Sequence, residues 1–408
     1  MSGVGTGALR YLRADLADFA GYSSARTSGP APGGRPWEWL NANESASANA
    51  ADAEGASRRY PDPQPAALRE RLAGLWGVRP EELLVGRGSD EGIDLLVRGC
   101  VAAGTGAVVV STPTFGMYAV SARLHGAEVV DVPQQVVPGQ RDAAQERFVL
   151  DGDGLVGAVR ERRGSGSGGS GSAAGLVFVA TPGNPTGSTV PLGELSRIAA
   201  ALEGDALLVV DEAYGDFTDE PSAVELLAAH DNVVVLRTLS KAHGLAGARI
   251  GALIARPELV AALGRVQAPY PLAVPAVGLA LAATENDAVA ATAARVREAV
   301  SERERLATAL AAALREGRAP ALTGLLEGEA NFVTVRCADP QAVLDALATD
   351  GIVVRSLAGH PALTDGVRIT TGTPAVNDRV LAHLIEPADP SEPTAVNDPT
   401  DPTPQETP

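Results

Sequence analysis

The sequence predicts an α/β protein with a mostly parallel central sheet in a large domain and a smaller α+β domain. Between residues 80 and 255, short apolar runs alternate with longer helix-like segments. Such alternation is typical of a parallel sheet covered by helices. Near residue 280 the pattern changes to a long stretch rich in Ala, Arg and Glu, followed by short strands. At 408 residues the chain also exceeds the usual size of a single core, which favours two domains.

The predicted elements can be placed along the chain from these patterns. Strands of the large domain are expected at residues 83–85, 107–110, 128–132, 176–180, 206–210, 233–236 and 250–254. The smaller domain is expected to contain a helix over 281–317 and strands at 331–336, 352–355 and 367–370. We therefore expect a large domain over 46–280, a small domain over 281–386, and an N-terminal segment, 1–45, that joins the small domain.

Two segments have the composition of flexible chain. Residues 164–175 read GSGSGGSGSAAG between a predicted helix and a predicted strand, which indicates a flexible surface insert. Residues 387–408 are rich in Pro, Asp and Thr and contain no basic residue, which predicts a disordered tail. Neither segment carries a phosphate-binding glycine motif.

Charge and composition exclude several classes of function. A net charge of −17 argues against non-specific binding to nucleic acid or to an anionic membrane. No apolar run is long enough to cross a membrane, and residues 1–13 lack a signal pattern. Two cysteines, Cys100 and Cys337, are too few for a disulfide framework or a metal cluster. We expect a cytoplasmic protein without a metal site, in which both thiols are buried.

Chemically useful residues follow four of the predicted strands. The loop 86–92, GRGSDEG, leads into a helix and could bind phosphate through free N–H groups. Asn184 follows the strand at 176–180, and Asp211 and Tyr214 follow the strand at 206–210. Lys241 follows the strand at 233–236. Because ligands of open α/β sheets bind beyond the carboxyl ends of the strands, we expect these groups to meet in one site.

Lys241 is the only lysine in the sequence. Arginine cannot replace an amine nucleophile, because guanidinium stays protonated whereas an ammonium group can lose its proton. A neutral amine can form a Schiff base with a carbonyl compound. An isolated lysine is more often an ordinary surface residue, but Ser240, Gly244, Gly247 and Arg249 supply small and anion-binding groups beside it. These neighbours favour a reactive amine.

The four strand ends together match the needs of one cofactor, pyridoxal 5′-phosphate (PLP). This cofactor requires a lysine for its aldehyde, a carboxylate beside its pyridine nitrogen, hydrogen-bond donors for its phenolate oxygen and an anion site for its phosphate. The loop 86–92 is not a dinucleotide-binding glycine motif, since position 91 is Glu.

From about residue 40 to residue 382, the chain resembles the fold-type I PLP-dependent aminotransferases, and among them the histidinol-phosphate aminotransferases. The resemblance rests on LNANE (40–44), RYP (59–61), RGSDEGIDLL (87–96), PTFGMYAVSA (113–122), NPTG (184–187), DEAY (211–214), RTLSKAHGLAGARIG (237–251), APYPL (268–272), GIVVR (351–355) and RITTGT (368–373). It implies a homodimer with this fold that uses PLP and small-molecule substrates.

The resemblance implies a role for each residue around the cofactor ring. Lys241 resembles the residue that binds the cofactor and moves the proton. Asp211 would pair with the ring nitrogen, which makes the ring an electron sink. Tyr214 and Asn184 would hydrogen-bond the phenolate oxygen, and Phe115 would stack on the ring.

The resemblance also implies contacts to the cofactor phosphate. Ser89 and Asp90 would bind it through backbone N–H groups, and Ser240 and Arg249 through their side chains. Tyr60 would reach the same phosphate from the partner subunit, which is the reason to expect a homodimer.

Four further residues are implied for the substrate. Arg355 and Arg368 would bind its anionic end, a phosphate in histidinol phosphate and a carboxylate in glutamate. Tyr22 would assist, and Asn43 would lie near the cleft. His243 replaces the aromatic residue expected two positions after the lysine, and we interpret it as a packing residue.

The implied reaction is reversible amino transfer between L-histidinol phosphate and 2-oxoglutarate, a step of histidine biosynthesis. Two enzyme alternatives share the cofactor residues: an aminotransferase for aromatic amino acids, and a decarboxylase of a phosphorylated amino acid. A ligand-sensing regulator on the same fold is a third alternative. Residues 1–45 are too short and irregular for its DNA-binding domain, and the net charge has the wrong sign.

Overall fold

The computed structural model of the chain describes residues 7–22, 39–164 and 175–387. The predictions of a flexible insert and a disordered tail fall almost entirely on residues 165–174 and 388–408, which lie outside the described residues. The described helices are α1 (Ala66–Trp76), α2 (Ser89–Cys100), α3 (Met117–Leu124), α4 (Gly152–Gly164), α5 (Leu192–Ala201), α6 (Pro257–Val266), α7 (Val274–Ala283), α8 (Asn286–Arg315), α9 (Pro340–Thr349) and α10 (Pro374–Leu384). The described strands are β1 (Leu83–Gly86), β2 (Ala107–Val110), β3 (Glu128–Asp131), β4 (Gln135–Pro138), β5 (Glu146–Val149), β6 (Gly175–Ala180), β7 (Ala206–Asp211), β8 (Val233–Thr238), β9 (Gly251–Ile254), β10 (Leu322–Leu325), β11 (Phe332–Cys337), β12 (Arg355–Ser356) and β13 (Gly366–Thr370).

Seven strands form the central sheet in the order β1-β9-β8-β7-β6-β2-β3. Strand β9 is antiparallel to both of its neighbours, and the remaining pairs are parallel. All strands except β9 therefore run in one direction, and their carboxyl ends share one edge. The prediction of a mostly parallel sheet is confirmed, and all seven predicted strands are present.

Each face of this sheet is covered by its own hydrophobic core. Leu208 and Val210 of β7 belong to the core on one face, whereas Leu207 and Val209 belong to the core on the other. This division follows from strand geometry, since successive side chains point to opposite faces. A strand buried on both faces reads as a continuous apolar run, which is why β7 was recognisable in the sequence.

The smaller domain is built on a four-stranded antiparallel sheet in the order β10-β11-β13-β12. Its core joins α8, α9 and α10 to the sheet through Leu306, Leu347, Val335, Val367 and Val380.

The structure differs from the predicted elements in three respects. The helix expected over 281–317 is interrupted and forms α7 and α8, the strand expected at 352–355 is reduced to β12, and β10 had not been predicted.

The hairpin of β4 and β5 had also not been predicted. Most residues of β4 are exposed, so the strand lacks the apolar run that marks a buried strand. The hairpin reaches the smaller domain, because Glu146 bridges to Leu326 and its carboxylate accepts a hydrogen bond from Arg336 Nε at 2.7 Å. A second docking contact is made by Thr334 Oγ1, which donates to Pro185 O at 2.7 Å. These contacts seat the smaller sheet beside the loop that follows β6.

The segment 1–45 was expected to join the smaller domain, but residues 7–16 pack on the large domain. Ala8 and Tyr11 are buried in the core that contains Leu263 of α6. Tyr11 Oη accepts a hydrogen bond from Gly204 N at 2.8 Å, and Arg13 Nη1 donates to Arg98 O at 2.9 Å. The apolar side chains explain the placement, since they fill a gap beside α2 and α6.

Within the described residues, no helix combines the length and apolar character needed to cross a membrane. The same residues contain no group of three or more His, Cys, Asp or Glu arranged to hold a metal ion. Cys100 and Cys337 are buried free thiols, and burial raises the pKa of each to about 12.

The central sheet should lose much of its stability when a buried leucine of β7 is shortened. We expect Leu208→Ala to lower the free energy of unfolding by about 2–5 kcal/mol, because it removes a fully buried side chain and leaves a cavity. Leu124→Ala is the matched control, since Leu124 is 84% exposed and should change the value by less than about 0.5 kcal/mol. Urea unfolding measures both variants, and similar losses would contradict the assignment of the core.

Candidate active site

A cavity of about 150 Å³ lies at the edge of the central sheet where the parallel strands end. Four loops that follow β1, β6, β7 and β8 contribute to it, as the sequence predicted. Its described lining is Ser89, Asp90, Phe115, Tyr118, Ala180, Pro182, Asn184, Asp211, Ala213, Tyr214, Thr238, Ser240, Lys241, Ala246 and Arg249.

Asp211 is the last residue of β7 and is buried at the floor of this cavity. Burial raises the pKa of its carboxyl group to about 6. Its Oδ2 accepts a hydrogen bond from Tyr118 Oη at 2.7 Å, and its Oδ1 accepts one from Ala213 N at 3.0 Å. No cationic side chain among the described residues forms an ion pair with it. A buried carboxylate without a cation is costly, so the arrangement fits a ligand that brings a positive charge.

Lys241 reaches the same cavity from the loop after β8. The loop is held in a tight turn, in which Gly244 N donates to Lys241 O at 3.1 Å. The Lys241 ammonium lies 5.3 Å from the centroid of the Tyr214 ring, and it makes no hydrogen bond or ion pair with another described residue. The amine is therefore available to a ligand.

A buried ion pair joins the loops that carry Asp211 and Lys241. Glu212 accepts hydrogen bonds from Arg237 Nη1 at 2.9 Å, Ser222 Oγ at 2.7 Å and Ala223 N at 2.6 Å. The Arg237 guanidinium also pairs with Asp216 at 3.1 Å. Sequence reasoning gave Glu212 and Arg237 no role, although Glu212 lies in the stretch DEAY and Arg237 in the stretch RTLSK, both of which carried the resemblance.

An anion cradle lies between the start of α2 and the start of β9. Ser89 and Asp90 are the first residues of α2, where backbone N–H groups are free to bind an anion. Arg249 Nη2 donates to Asp90 Oδ2 at 2.9 Å, and Arg249 Nη1 lies 3.4 Å from Ser240 Oγ. The Arg249 side chain is still 46% exposed, so its guanidinium remains accessible. The structure thus adds a side-chain contact for Asp90 to the backbone role that was expected.

Gly88 is required where the cradle approaches the arginine. It has a φ of 77°, and a Cβ atom there would lie 2.6 Å from Arg249 Nη2. Either feature alone favours glycine.

Phe115 lines the cavity just before α3. It contacts the edge of Tyr118, with ring centroids 5.7 Å apart and planes at 85°. Tyr118 was missed by sequence reasoning, although it lies in the quoted stretch PTFGMYAVSA.

The smaller domain brings Arg355 and Arg368 towards this edge. They are direct partners in the register of β12 and β13. Arg368 Nη1 donates to Asn184 Oδ1, and its guanidinium lies 5.2 Å from the centroid of the Phe332 ring. Burial, and to a lesser extent the charge of Arg355, lowers the pKa of Arg368. The Arg355 side chain makes no hydrogen bond or ion pair with another described residue. Because like charges that face each other across a sheet repel, the pair fits an anionic group between them.

Besides Arg355 and Arg368, which approach the cavity without lining it, three predicted residues lie outside the lining of their own chain. Tyr22 and Tyr60 are 65% and 50% exposed, and Asn43 is also exposed, with a φ of 55°. The Tyr60 ring stacks on that of Tyr270 with centroids 4.6 Å apart. His243 is not part of the described lining and is buried, and burial lowers its pKa.

These groups fit PLP on the grounds of charge and donor chemistry. The carboxylate of Asp211 lacks a cationic partner within the described ranges, Lys241 supplies an amine, and the cradle around Arg249 supplies an anion site. All three line one cavity.

The cradle should be sensitive to a methyl group at position 88. We expect Gly88→Ala to weaken PLP binding at least tenfold, because the new Cβ would displace Arg249. Gly77→Ala is the matched control: Gly77 also has a positive φ, of 67°, but nothing lies within 4 Å of its Cβ position. Gly77→Ala should lose about 1 kcal/mol of stability from backbone strain. Gly88→Ala should lose more, about 1–3 kcal/mol, because its φ of 77° and ψ of 176° lie in a region that is nearly restricted to glycine. Equilibrium dialysis with PLP would contradict this role of Gly88 if both variants bound equally well.

Comparison with known proteins gives a consistent picture. The family model for aminotransferase class I and II matches residues 28–384. A histidinol-phosphate aminotransferase of Stenotrophomonas maltophilia is 50% identical over 376 residues, which cover 92% of this chain and 96% of the relative. A corresponding protein of Xanthomonas oryzae is 48% identical over the same shares of the two chains.

Solved structures show the same fold. The histidinol-phosphate aminotransferase of Sinorhizobium meliloti, in complex with PLP, is 29% identical with a TM-score of 0.67, over 84% of this chain and 88% of that one. The L-threonine-O-3-phosphate decarboxylase of Porphyromonas gingivalis shares the fold at 19% identity and a TM-score of 0.62, over 81% and 91% of the two chains. The extent of the family match and of the identity to these relatives shows that the chain belongs to the class I and II aminotransferases.

Proposed function

We propose that this chain catalyses PLP-dependent amino transfer between L-histidinol phosphate and 2-oxoglutarate. The observation that carries the proposal is the joint lining of one cavity by Lys241, Asp211 and Arg249, with Arg355 and Arg368 approaching from the smaller domain. The names and the high identity of the relatives support the choice of reaction.

Eight residues of one chain would hold the cofactor. Lys241 would bind its aldehyde carbon, Asp211 would pair with its protonated ring nitrogen, and Arg249 would bind its phosphate together with Ser89 and Ser240. Tyr214 and Asn184 would donate to its phenolate oxygen, and Phe115 would stack on its ring. Asn184 is suited to donate, because its Oδ1 already accepts from Arg368 and its Nδ2 is left for the ligand.

When bound, PLP supplies a conjugated ring that accepts the electron pair left by a broken C–H bond. The chain itself has to move the proton. Lys241 Nζ is the basic atom that can take the proton from the substrate Cα and return it, since it lies in the cavity without another described partner. Asp211 contributes by remaining negatively charged, which favours a positive charge on the ring.

The paired arginines would bind the anionic end of the substrate. A phosphate dianion needs more than one cation, and the planar guanidinium donates two aligned hydrogen bonds. Arg368 is oriented by Asn184 and Phe332, so its position is fixed before a substrate arrives. Arg355 is exposed, and its guanidinium forms no ion pair with another described residue. It would bind the bulkier phosphate group.

Homodimer formation belongs to the same proposal. All ten residues of α7 are apolar or glycine, yet only Ala280 is buried and Leu279 is 55% exposed. Such a surface is typical of a subunit interface. Tyr60 lies outside the cavity of its own chain and would bind the cofactor phosphate of the partner. Buried free thiols suit a reducing compartment, which supports a cytoplasmic location.

The reaction is tested by following each half-reaction in a single turnover with purified protein and PLP. We expect amino transfer from histidinol phosphate to be much faster than from phenylalanine. Lys241→Arg should fold but abolish both half-reactions, because guanidinium stays protonated. A preference for phenylalanine would replace the proposal with the aromatic aminotransferase, and release of carbon dioxide from a phosphorylated amino acid would replace it with the decarboxylase.

Removal of the two arginines should have unequal effects. We expect Arg368→Ala to impair both half-reactions, and Arg355→Ala to lower kcat/KM for histidinol phosphate about ten- to a hundredfold while affecting glutamate less. Arg379→Ala is the control, since Arg379 pairs with Asp350 on the surface of the same domain. Equal losses with both substrates in Arg355→Ala would remove the assignment of a phosphate site.

The cross-subunit role of Tyr60 is tested with hybrid dimers. A Tyr60→Phe subunit mixed with a Lys241→Ala subunit gives one site that has both residues intact. We expect the mixture to be more active than either parent protein. If mixing yields no gain although hybrids form by mass spectrometry, Tyr60 acts within its own chain.

A further inference from the structure

Tyr118 is a buried titratable group that the proposed reaction does not yet use. It is the second residue of α3 and is fully buried. Its hydroxyl donates to Asp211 Oδ2 at 2.7 Å. Because a phenol that donates to a carboxylate stabilises the charged form, this contact bears directly on the residue that would pair with the cofactor ring.

The ring of Tyr118 is fixed on two sides. It stacks on Phe178 of β6, with centroids 4.6 Å apart and planes at 8°. It also contacts Phe115 edge to face at 5.7 Å. The hydroxyl can therefore point in one direction only, and the same side chain supports the residue expected to stack on the cofactor.

The surroundings of Asp211 make this hydroxyl important. Burial, together with the charges of Asp90 and Glu212, raises the pKa of Asp211, whereas the bonds from Tyr118 and from Ala213 N lower it. Asp90 and Glu212 are themselves paired with arginines. Of the two donors that oppose burial, Tyr118 is the one that a side-chain substitution can remove.

We propose that Tyr118 is a positioning residue for the reaction, whose hydroxyl holds Asp211 as an oriented carboxylate that keeps the ring nitrogen of PLP protonated. The inference rests on the proposed function, since it assumes that PLP occupies the cavity. It assigns Tyr118 a part in controlling the electronic state of the cofactor without contact to the substrate.

The protonation of the ring nitrogen is measured by NMR of the protein loaded with ¹⁵N-labelled PLP. Tyr118→Phe removes the hydroxyl and retains the stacked ring. Without the donor, the Asp211 carboxylate becomes more basic and draws the shared proton from the ring nitrogen. We expect the ¹⁵N resonance to move towards that of neutral pyridine. An unchanged resonance in a folded, loaded variant would overturn the proposal.

Tyr11→Phe is the matched control. Tyr11 is also buried, and its hydroxyl accepts a hydrogen bond from Gly204 N, far from the cavity. Both variants should lose stability, but only Tyr118→Phe should move the ring-nitrogen resonance. Equal movement in both variants would show a general effect of lost packing and would also overturn the proposal.

A titration of the protein without cofactor separates this inference from the proposed function. The Asp211 carboxyl carbon is followed in ¹³C-aspartate-labelled protein and assigned with Asp211→Asn. Loss of a charge-assisted hydrogen bond should raise its pKa by about one to two pH units in Tyr118→Phe. Failure of the wild type to bind PLP would reject the proposed function, whereas identical titrations of wild type and Tyr118→Phe would reject the role of Tyr118.

A graded substitution covers the case in which Tyr118→Phe does not fold. A fluorinated tyrosine at position 118 keeps the shape of the side chain and has a more acidic hydroxyl, which makes it a stronger donor. It should lower the pKa of Asp211 and move the ¹⁵N resonance towards that of a protonated ring. Movement in the opposite direction, or none, would contradict the proposal.

Discussion

The arrangement of the cavity depends on a buried carboxylate that no cationic side chain in the described part of the chain pairs with. Strand β7 ends at Asp211 in the middle of the central sheet, where neighbouring strands exclude water on both sides. Two hydrogen bonds satisfy the carboxyl group but do not neutralise its charge. A positively charged ligand would offset the remaining cost of burying that charge. The polar groups around it then have defined tasks: an amine on one loop, an anion cradle on another, and an ion pair beneath both that keeps the loops together.

Most of the fold and the centre of the site could be predicted from the sequence. The strands of the central sheet are buried on both faces, so their residues form apolar runs that stand out against the helices. Asn184, Asp211 and Lys241 each follow such a run, and the common direction of the strands brings them to one edge. The hairpin of β4 and β5 gave no such signal, because β4 is mostly exposed and Phe148 of β5 is buried without a run of apolar neighbours in the sequence.

The contacts that could not be predicted join residues far apart in the sequence. Arg237 and Glu212 lie 25 positions apart, and Tyr118 and Asp211 lie 93 apart. The local sequence around one residue of such a pair does not show its partner. The pairing becomes visible only when the order of the strands is known. The same holds for Arg249 and Gly88, which meet because β9 runs antiparallel beside β1. Tyr118 lies in the stretch PTFGMYAVSA, but the periodicity of that stretch predicts only that Tyr118 is a core residue of α3.

The seating of the smaller sheet has a consequence for which substrates can react. Lys241 belongs to the large domain and Arg355 to the small one, so the span between the amine and the proposed anion-binding end is set where the domains touch. Thr334 contributes to that span through its bond to Pro185, since it lies opposite Arg368 in the sheet and Pro185 follows Asn184 of the cavity lining. The contact between the domains would therefore determine the length of substrate that fits between the amine and the arginine. Substitutions at this contact between the domains could adapt the protein to a longer or shorter amine without any change in the residues that line the cavity.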